Sequence, residues 1–180
     1  MKGSKLWAVQ LGGVLVFGVS LVFGLILRGL YRETGEGSVT MTGLWDLVIL
    51  LVGIAAVLVL HEAVHGILFR VFGGRTRFGA KLLGRIMPVL YATSDVRMPR
   101  DQYLVVCLGP FVIISLGLLL VGILVDGDGT ALLALMLMAV NTGGSMGDMV
   151  VSHKLRMHSP TTLFQDREDG FLWWSSRTDD

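Results

Sequence analysis

The chain has 180 residues, of which 53% are hydrophobic and only 16% are charged, and its mean hydropathy is +0.69. An ordinary soluble domain does not need so much apolar surface, so the composition predicts a protein whose solvent is a lipid bilayer. The net charge of +1 says little about nucleic acid, and the single cysteine, Cys107, excludes an intrachain disulfide and a cysteine-rich zinc site.

The first predicted membrane span covers residues 6–27, where only Gln10 and Ser20 interrupt an apolar sequence. About 22 residues form a helix of about 33 Å, which is enough to cross a bilayer. A cleaved signal peptide would have an apolar core of about 7–15 residues and a small-residue cleavage site. The run is longer and lacks a clear site, so we expect a retained span, followed by a polar linker over residues 28–43.

The second predicted span covers residues 44–72 and contains an HExxH motif made by His61, Glu62 and His65. On a helix, His65 lies about 40° around the axis from His61, so both imidazoles face one way, with Glu62 beside them. Two neutral imidazoles can hold Zn²⁺, and the carboxylate can take a proton from a metal-bound water. The alternative is three side chains hydrogen-bonded inside a helix bundle. Ionisable groups next to hydrocarbon are costly and usually functional, which favours the metal site.

The segment between the second and third spans, residues 73–102, combines six cationic side chains with glycines and prolines. Its short segments 76–78 and 87–91 predict either the strands of a small hairpin or a loop that dips toward the membrane. Irregular backbone at membrane depth is tolerated only beside protein or a water-filled cavity, and a hydrolytic site needs such a cavity. The third predicted span covers residues 103–125.

The fourth predicted span covers residues 130–151 and is interrupted by the segment 141–148. It offers a third metal ligand. A catalytic zinc usually has three protein ligands and one open position. Asp148 lies about 26 Å along this helix, at nearly the depth of His61, and a carboxylate at that depth needs a partner. We therefore predict Asp148 as the third ligand. A capping or helix-pairing aspartate is the alternative, and His153 and His158 in the polar tail are rival ligands.

The basic residues are unevenly distributed across the predicted membrane. With a cytoplasmic amino terminus, 13 of the 15 lysines and arginines lie in cytoplasmic segments, and only Arg28 and Arg32 lie outside. This distribution satisfies the positive-inside rule, so the basic loop is a topology signal before it is a nucleic-acid patch. In the tail, residues 152–180, Trp173 and Trp174 predict either an interfacial anchor or a folded segment that packs on the loop.

These patterns together predict an all-α integral membrane protein with about four transmembrane helices and a small irregular or β-hairpin cytoplasmic region between helices two and three. We expect one membrane-embedded domain over residues 1–180. Both termini and the site should face the cytoplasm, most simply in the plasma membrane of a prokaryote. The lipid bilayer is the expected surrounding, and no nucleic-acid partner is expected.

The motifs also carry a resemblance to a known family. They are HEAVHG at residues 61–66, Tyr91, Gln102-Tyr103, Gly109-Pro110, NTGGSMGD at residues 141–148, and Phe164-Gln165-Asp166 with Gly170-Phe171. This ordered set resembles the small membrane proteins described as putative zincin peptidases, which are built around a domain of unknown function. It is more distantly similar to the site-2 intramembrane metalloproteases. HExxH is moderately specific by itself, and the ordered set is much more so.

The resemblance implies a role for each matching residue. It implies that His61 and His65 ligate zinc, that Glu62 is the catalytic base, and that Asp148 completes the metal site. By analogy with the site-2 proteases, it implies that Asn141 positions the substrate or stabilises the oxyanion.

The chain departs from the site-2 pattern at two positions, since Thr142 and Met149 stand where those proteases have proline and glycine. These differences bear on substrate rules more than on the metal ligands. We expect a zinc-dependent intramembrane or membrane-proximal metalloprotease that hydrolyses peptide bonds of a membrane protein or peptide substrate. The alternatives are a non-catalytic metal-binding membrane protein, such as a zinc sensor or carrier, and a structural membrane scaffold.

Overall fold

The computed structural model describes residues 3–31, 43–83, 87–167 and 170–175. The elements in chain order are α1 (Gly3–Tyr31), α2 (Leu44–Val71), β1 (Thr76–Leu83), β2 (Met87–Ser94), β3 (Met98–Pro99), α3 (Arg100–Leu124), α4 (Asp128–Gly144), α5 (Met146–Leu155), β4 (Leu163–Arg167) and β5 (Gly170–Trp174). The protein is mostly helical, with small strand regions. By length and composition, three of the described helices could cross a membrane, or up to four if α4 and α5 form one bent span.

The chain divides into two compact units. Unit one comprises Met1–Leu58 and Phe111–Gly147, and unit two comprises Val59–Pro110 and Asp148–Asp180. Unit one therefore holds α1, the first half of α2, the second half of α3, and α4. Unit two holds the motif-bearing end of α2, both β-sheets, the start of α3 and nearly all of α5.

Unit one is a group of apolar helices whose outer side chains are exposed. On α1, Val14, Leu15 and Val19 are exposed to 68%, 68% and 69%. Its buried side chains are concentrated on α4, where Ala131 and Leu135 have no exposed surface. Exposed apolar surface on this scale is unusual for a soluble monomer and is typical of surface that meets another apolar phase.

Helix α1 continues beyond the predicted end of the first span. The sequence predicts Arg28 as part of the polar linker, but Arg28 lies on α1, which continues to Tyr31. Its guanidinium donates to the carbonyl oxygens of Gly122 and Val125 at 2.8 and 3.1 Å, and to Asp128 Oδ1 at 2.6 Å. These bonds satisfy carbonyls at the end of α3, which a helix terminus leaves without intrahelical partners. The rest of the linker, residues 32–42, lies outside the described residues.

The interruption predicted within the fourth span lies at Ser145, which divides it into α4 and α5, a bent pair that is long and apolar enough to cross a membrane as one span. The Ser145 backbone N–H donates to the carbonyl oxygens of Asn141 and Gly143, and its hydroxyl donates to Asn141 O at 2.7 Å. Two consecutive glycines before it have low helix propensity, and a serine hydroxyl competes for backbone partners. Asn141 and Asp148 consequently lie on different helices.

Unit two contains two small antiparallel sheets. In the first, β1 pairs with β2 from Thr76↔Ser94 to Leu83↔Met87, so the hairpin predicted for this region is confirmed, with longer strands than expected. In the second, the order is β3-β4-β5, with β4 paired to β5 from Leu163↔Trp174 to Arg167↔Gly170. The described part of the tail is therefore folded into strands.

The second sheet packs on the start of α3 and on α5. The buried cluster consists of Phe69, Met98, Tyr103, Val106, Cys107, Leu155 and Phe164. Its members come from α2, β3, α3, α5 and β4. These five elements are thereby joined around one core. Cys107 is buried in this core as a small apolar side chain.

Within unit one, α1 and α4 approach closely at a pair of glycines. A Cβ atom on Gly143 would lie 2.7 Å from the carbonyl oxygen of Gly13, and a Cβ on Gly13 would lie 2.9 Å from that of Gly143. Both obstacles are backbone atoms, so a side chain at either position would separate the helices. Gly144 is the matched control, because a Cβ there would meet nothing within 4 Å.

We predict that Gly143→Ala lowers the thermal unfolding midpoint in detergent by roughly 2–10 °C, the cost of overpacking a close helix contact. Gly144→Ala should leave the midpoint unchanged or raise it slightly, because alanine favours helix. Thermal unfolding followed by circular dichroism provides the comparison. Equal midpoints for the two variants would contradict the close approach.

Candidate metal centre

The HExxH motif lies on the part of α2 that belongs to unit two. An unbroken apolar run from Leu47 to Leu60 precedes the motif. This run by itself favours a membrane-spanning helix up to the motif. His61 and His65 project from the same side, with ring centroids 4.9 Å apart and ring planes at 75°. The i, i+4 spacing thus produces the pairing that the sequence predicts.

Asp148 lies in the first turn of α5, and its carboxylate faces both histidines. Its Oδ2 is 3.1 Å from His61 Nε2 and 3.6 Å from His65 Nε2. One ligand atom from each of these three residues lies within 4.8 Å of the others, all within unit two. The structure therefore brings the three predicted ligands together. The break at Ser145 starts a new helix just before Asp148.

The backbone of α3 shows that Nδ1 of His65 carries a hydrogen. Its Nδ1 lies 2.9 Å from the carbonyl oxygen of Val106, and a carbonyl can only accept, so Nδ1 carries the hydrogen. The neutral ring then presents the lone pair of Nε2 to Asp148 Oδ2. Two acceptors facing each other repel unless a proton or a metal cation lies between them.

A glycine lets α3 come close enough for this contact. A Cβ atom on Gly109 would lie 2.1 Å from Leu68 Cδ1 on α2. Gly109 is one helical turn beyond Val106, on the same side of α3. A side chain at Gly109 would therefore require Leu68 to move. A hydrogen bond from the second ring nitrogen to a carbonyl, as His65 makes to Val106, is the usual support for a metal-binding histidine.

The spacing of the three ligand atoms fits zinc. Ligand atoms about 2.0–2.1 Å from a tetrahedral zinc lie about 3.4 Å from each other. The distances of 3.1 and 3.6 Å from Asp148 to the two histidines bracket this value. Two imidazoles and a carboxylate are also a donor set that catalytic zinc sites use. The residues present therefore fit a bound zinc ion, with His61, His65 and Asp148 as its holders.

Glu62 lies beside the ligand group but is not part of it. Its carboxylate accepts a hydrogen bond from the backbone N–H of Ala92 on β2, and its charge interacts with both histidines and with Asp148. The first hairpin is attached to the same helix by a second bond, in which the Thr76 hydroxyl donates to the carbonyl oxygen of Gly66 at 2.8 Å. The hairpin therefore holds the carboxylate next to the three ligand atoms.

The other predicted residues lie elsewhere. Asn141 is on α4 in unit one, 2% exposed, where its Nδ2 donates to Ser115 Oγ at 2.9 Å. His153 is exposed on α5, and the His158 ring packs against Phe164 and Trp173 with centroids 5.4 and 4.9 Å apart. Among the described residues, neither rival histidine belongs to the ligand group.

Sequence reasoning gave no role to a partly buried acid of the tail sheet, Asp166, beyond its place in a family motif. The Tyr103 hydroxyl donates to Asp166 Oδ1. Burial raises the pKa of Asp166 to about 7, although the Tyr103 hydrogen bond and His65 act in the opposite direction. The sequence feature that could have indicated Asp166 is its position two residues after Phe164, because residues two apart on a strand lie on the same face.

The comparison with protein families gives one match. The model of the family described as "Putative zincin peptidase" matches residues 54–163, which include the motif, both strands of the first hairpin and Asp148. No curated protein and no solved structure is significantly similar to the chain.

We predict that removing any one of the three ligands abolishes tight zinc binding. His61→Ala, His65→Ala and Asp148→Asn should each lose zinc on dialysis against a weak chelator, because two remaining ligands cannot complete the site. His158→Ala is the control and should retain zinc. Metal analysis of the purified protein gives the result. Zinc retained by all three variants would place the metal, if bound, at other residues.

We also predict that Asp166 makes the metal-free protein less stable as the pH rises. Its pKa is about 7 in the folded protein and near 3.8 in the unfolded chain, so its stabilising contribution is complete below pH 3.8 and is lost as the pH rises through 7. The unfolding midpoint of Asp166→Asn minus that of the wild type should therefore increase from pH 5 to about pH 7 and then level off. A difference that does not change with pH would contradict the raised pKa.

Proposed function

The chain belongs to the putative zincin peptidase family, and we propose that it is a zinc-dependent metallopeptidase that hydrolyses peptide bonds of membrane-associated substrates, within or next to the membrane. The observation that carries the proposal is the convergence of His61, His65 and Asp148, within 4.8 Å of one another, on a helix pair that also presents Glu62. Family membership supports the metallopeptidase class, and the geometry supports the metal ligands.

The proposed chemistry divides between the ion and the protein. When bound, zinc would lower the pKa of a coordinated water toward about 7. Glu62 would remove a proton from that water and pass it to the leaving amine, as the general base and then the general acid. Its position one residue after His61 places the carboxylate on the adjoining side of the helix. The Ala92 N–H would limit its movement and keep it near the ligand atoms.

The first hairpin is the proposed binding surface for an extended substrate. The Ala92 N–H is used by Glu62, so β2 runs beside the proposed base. An unwound substrate segment could pair with this strand through backbone hydrogen bonds, which recognise an extended peptide without requiring one sequence. A helical substrate would have to unwind first, because the hydrogen bonds of a helix shield its carbonyl groups.

Asn141 is proposed, from the resemblance alone, to position the substrate or to donate to the developing oxyanion. Its amide nitrogen donates to Ser115 in unit one, which orients the side chain there. Measuring kcat and KM separately for Asn141→Ala would distinguish transition-state stabilisation from substrate positioning.

We place the protein in the plasma membrane of a prokaryote, as a multi-pass protein with both termini and the site toward the cytoplasm. The long apolar helices and their exposed side chains support insertion in a bilayer, and the distribution of lysine and arginine supports the orientation. Labelling of single engineered cysteines in intact cells, in a Cys107→Ser background, would test each loop.

We predict that Glu62→Gln keeps its zinc and loses its hydrolytic activity. Glutamine has nearly the shape of glutamate but cannot accept the proton, so cleavage should fall by roughly 10²–10⁴-fold. The measurement is a proteomic comparison of membranes from cells that contain the wild type, Glu62→Gln or the exposed control Asp101→Asn. Fragments that accumulate with the wild type and the control, and not with Glu62→Gln, identify substrates.

The zinc content makes the result interpretable. A Glu62→Gln protein with bound zinc and unchanged cleavage would end the proposal that Glu62 is the base. Zinc binding by the wild type without any Glu62-dependent cleavage would favour a sensor or carrier instead.

A further inference from the structure

A buried tyrosine and a partly buried carboxylate join the tail sheet to the start of α3. Tyr103 is 3% exposed, and its ring stacks on Phe164 at 6.0 Å and meets Phe171 edge-on at 6.2 Å. The Tyr103 hydroxyl donates to Asp166 on β4. The aromatic contacts fix the tyrosine, and the tyrosine fixes the carboxylate. The proposed mechanism gives this pair no role.

The pair belongs to the electrostatic surroundings of the ligand group. Besides burial and the hydrogen bond from Tyr103, the charges of His65, Asp148 and Glu62 affect the ionisation of Asp166. None of these is a lysine or an arginine. The aspartate therefore adds a third acid to a site that already has two, Glu62 and Asp148, without adding a cation.

The backbone of α3 connects the pair to the metal site. Val106 accepts the hydrogen bond from His65 Nδ1, and Tyr103 lies three residues earlier on the same side of the helix. The first turns of α3 thus hold a predicted zinc ligand through a carbonyl and hold Asp166 through a hydroxyl. A displacement of Tyr103 would therefore disturb both the bond from His65 to Val106 and the bond from Tyr103 to Asp166.

We propose that Asp166 is a positioning and charge-balancing residue of the metal centre, held by Tyr103, and that it strengthens zinc binding from outside the ligand group. The inference rests on the proposed function. A fixed negative charge in a buried site attracts a divalent cation at short range, where solvent screens poorly. Polar groups just outside the ligands commonly change metal affinity by 10–100-fold.

A purely structural role for Asp166 makes a different prediction. If the carboxylate only joined the tail sheet to α3, asparagine could accept the same hydrogen bond from Tyr103 at nearly the same volume. Zinc affinity would then be unchanged in Asp166→Asn. If the charge acts on the cation, the affinity falls even though the fold and the hydrogen bond remain.

The test measures zinc affinity of the full chain in detergent by competition with a chromogenic chelator at pH 8. Asp166→Asn should raise the dissociation constant for zinc by about 10–100-fold. Tyr103→Phe keeps the charge but releases the carboxylate, so its dissociation constant should rise by a smaller factor. Asp101→Asn removes an equal charge from an exposed site two residues before Tyr103 and should stay within about twofold of the wild type.

Wild-type affinity in a folded Asp166→Asn protein would overturn the inference and leave the proposed function intact. If Asp166→Asn does not fold, Tyr103→Phe decides, since an unchanged dissociation constant there would also overturn it. A wild type that binds no zinc would remove the proposed function and the inference together. If Asp101→Asn loses as much zinc affinity as Asp166→Asn, the effect comes from general surface charge, and a specific role for Asp166 is refuted.

Discussion

The candidate site depends on one contact between two hydrogen-bond acceptors. The Nδ1–H of His65 is bonded to the Val106 carbonyl, so the neutral ring cannot turn a hydrogen toward Asp148. Its Nε2 lone pair nevertheless lies 3.6 Å from the Asp148 carboxylate, with His61 Nε2 beside it. Holding acceptors together in a partly buried site is unfavourable unless a cation joins them. A bound metal ion would supply that cation, and in the packed-histidine alternative a proton on Nε2 of His65 would do so.

Backbone groups carry much of the organisation around this contact. The Val106 carbonyl orients one imidazole, the Ala92 N–H holds the Glu62 carboxylate, and the Thr76 hydroxyl ties the hairpin to the carbonyl of Gly66. Because each bond uses a main-chain atom, it depends on where the helix or strand lies rather than on the identity of the residue. Small residues at the close approaches, such as Gly109, have the same effect on position.

The sequence allowed the prediction of features that depend on local spacing. The i, i+4 histidines, the long apolar runs and the alternating segments of the hairpin are each visible within one element. The interruption of the fourth span is visible in the sequence as the polar, glycine-rich segment 141–148, and in the structure the Ser145 hydroxyl donates to the carbonyl oxygen of Asn141 at the break. Asp166 is visible only as part of a family motif, and its role could not be predicted because its partners lie on other elements, far away along the chain.

Asp166 shows why a residue that lowers stability can be kept in such a site. In the metal-free protein the partial burial of this carboxylate is the main cause that raises its pKa to about 7, and the charges of Asp148 and Glu62 add to that effect. Under the proposed function, a divalent cation in the ligand group would favour the ionised carboxylate and oppose these effects. The charge would then be unfavourable in the metal-free protein and favourable in the metal-bound one, where it would contribute to metal affinity. An uncharged residue would give a more stable metal-free fold that holds its metal less tightly, which is the usual exchange between stability and function at an active site.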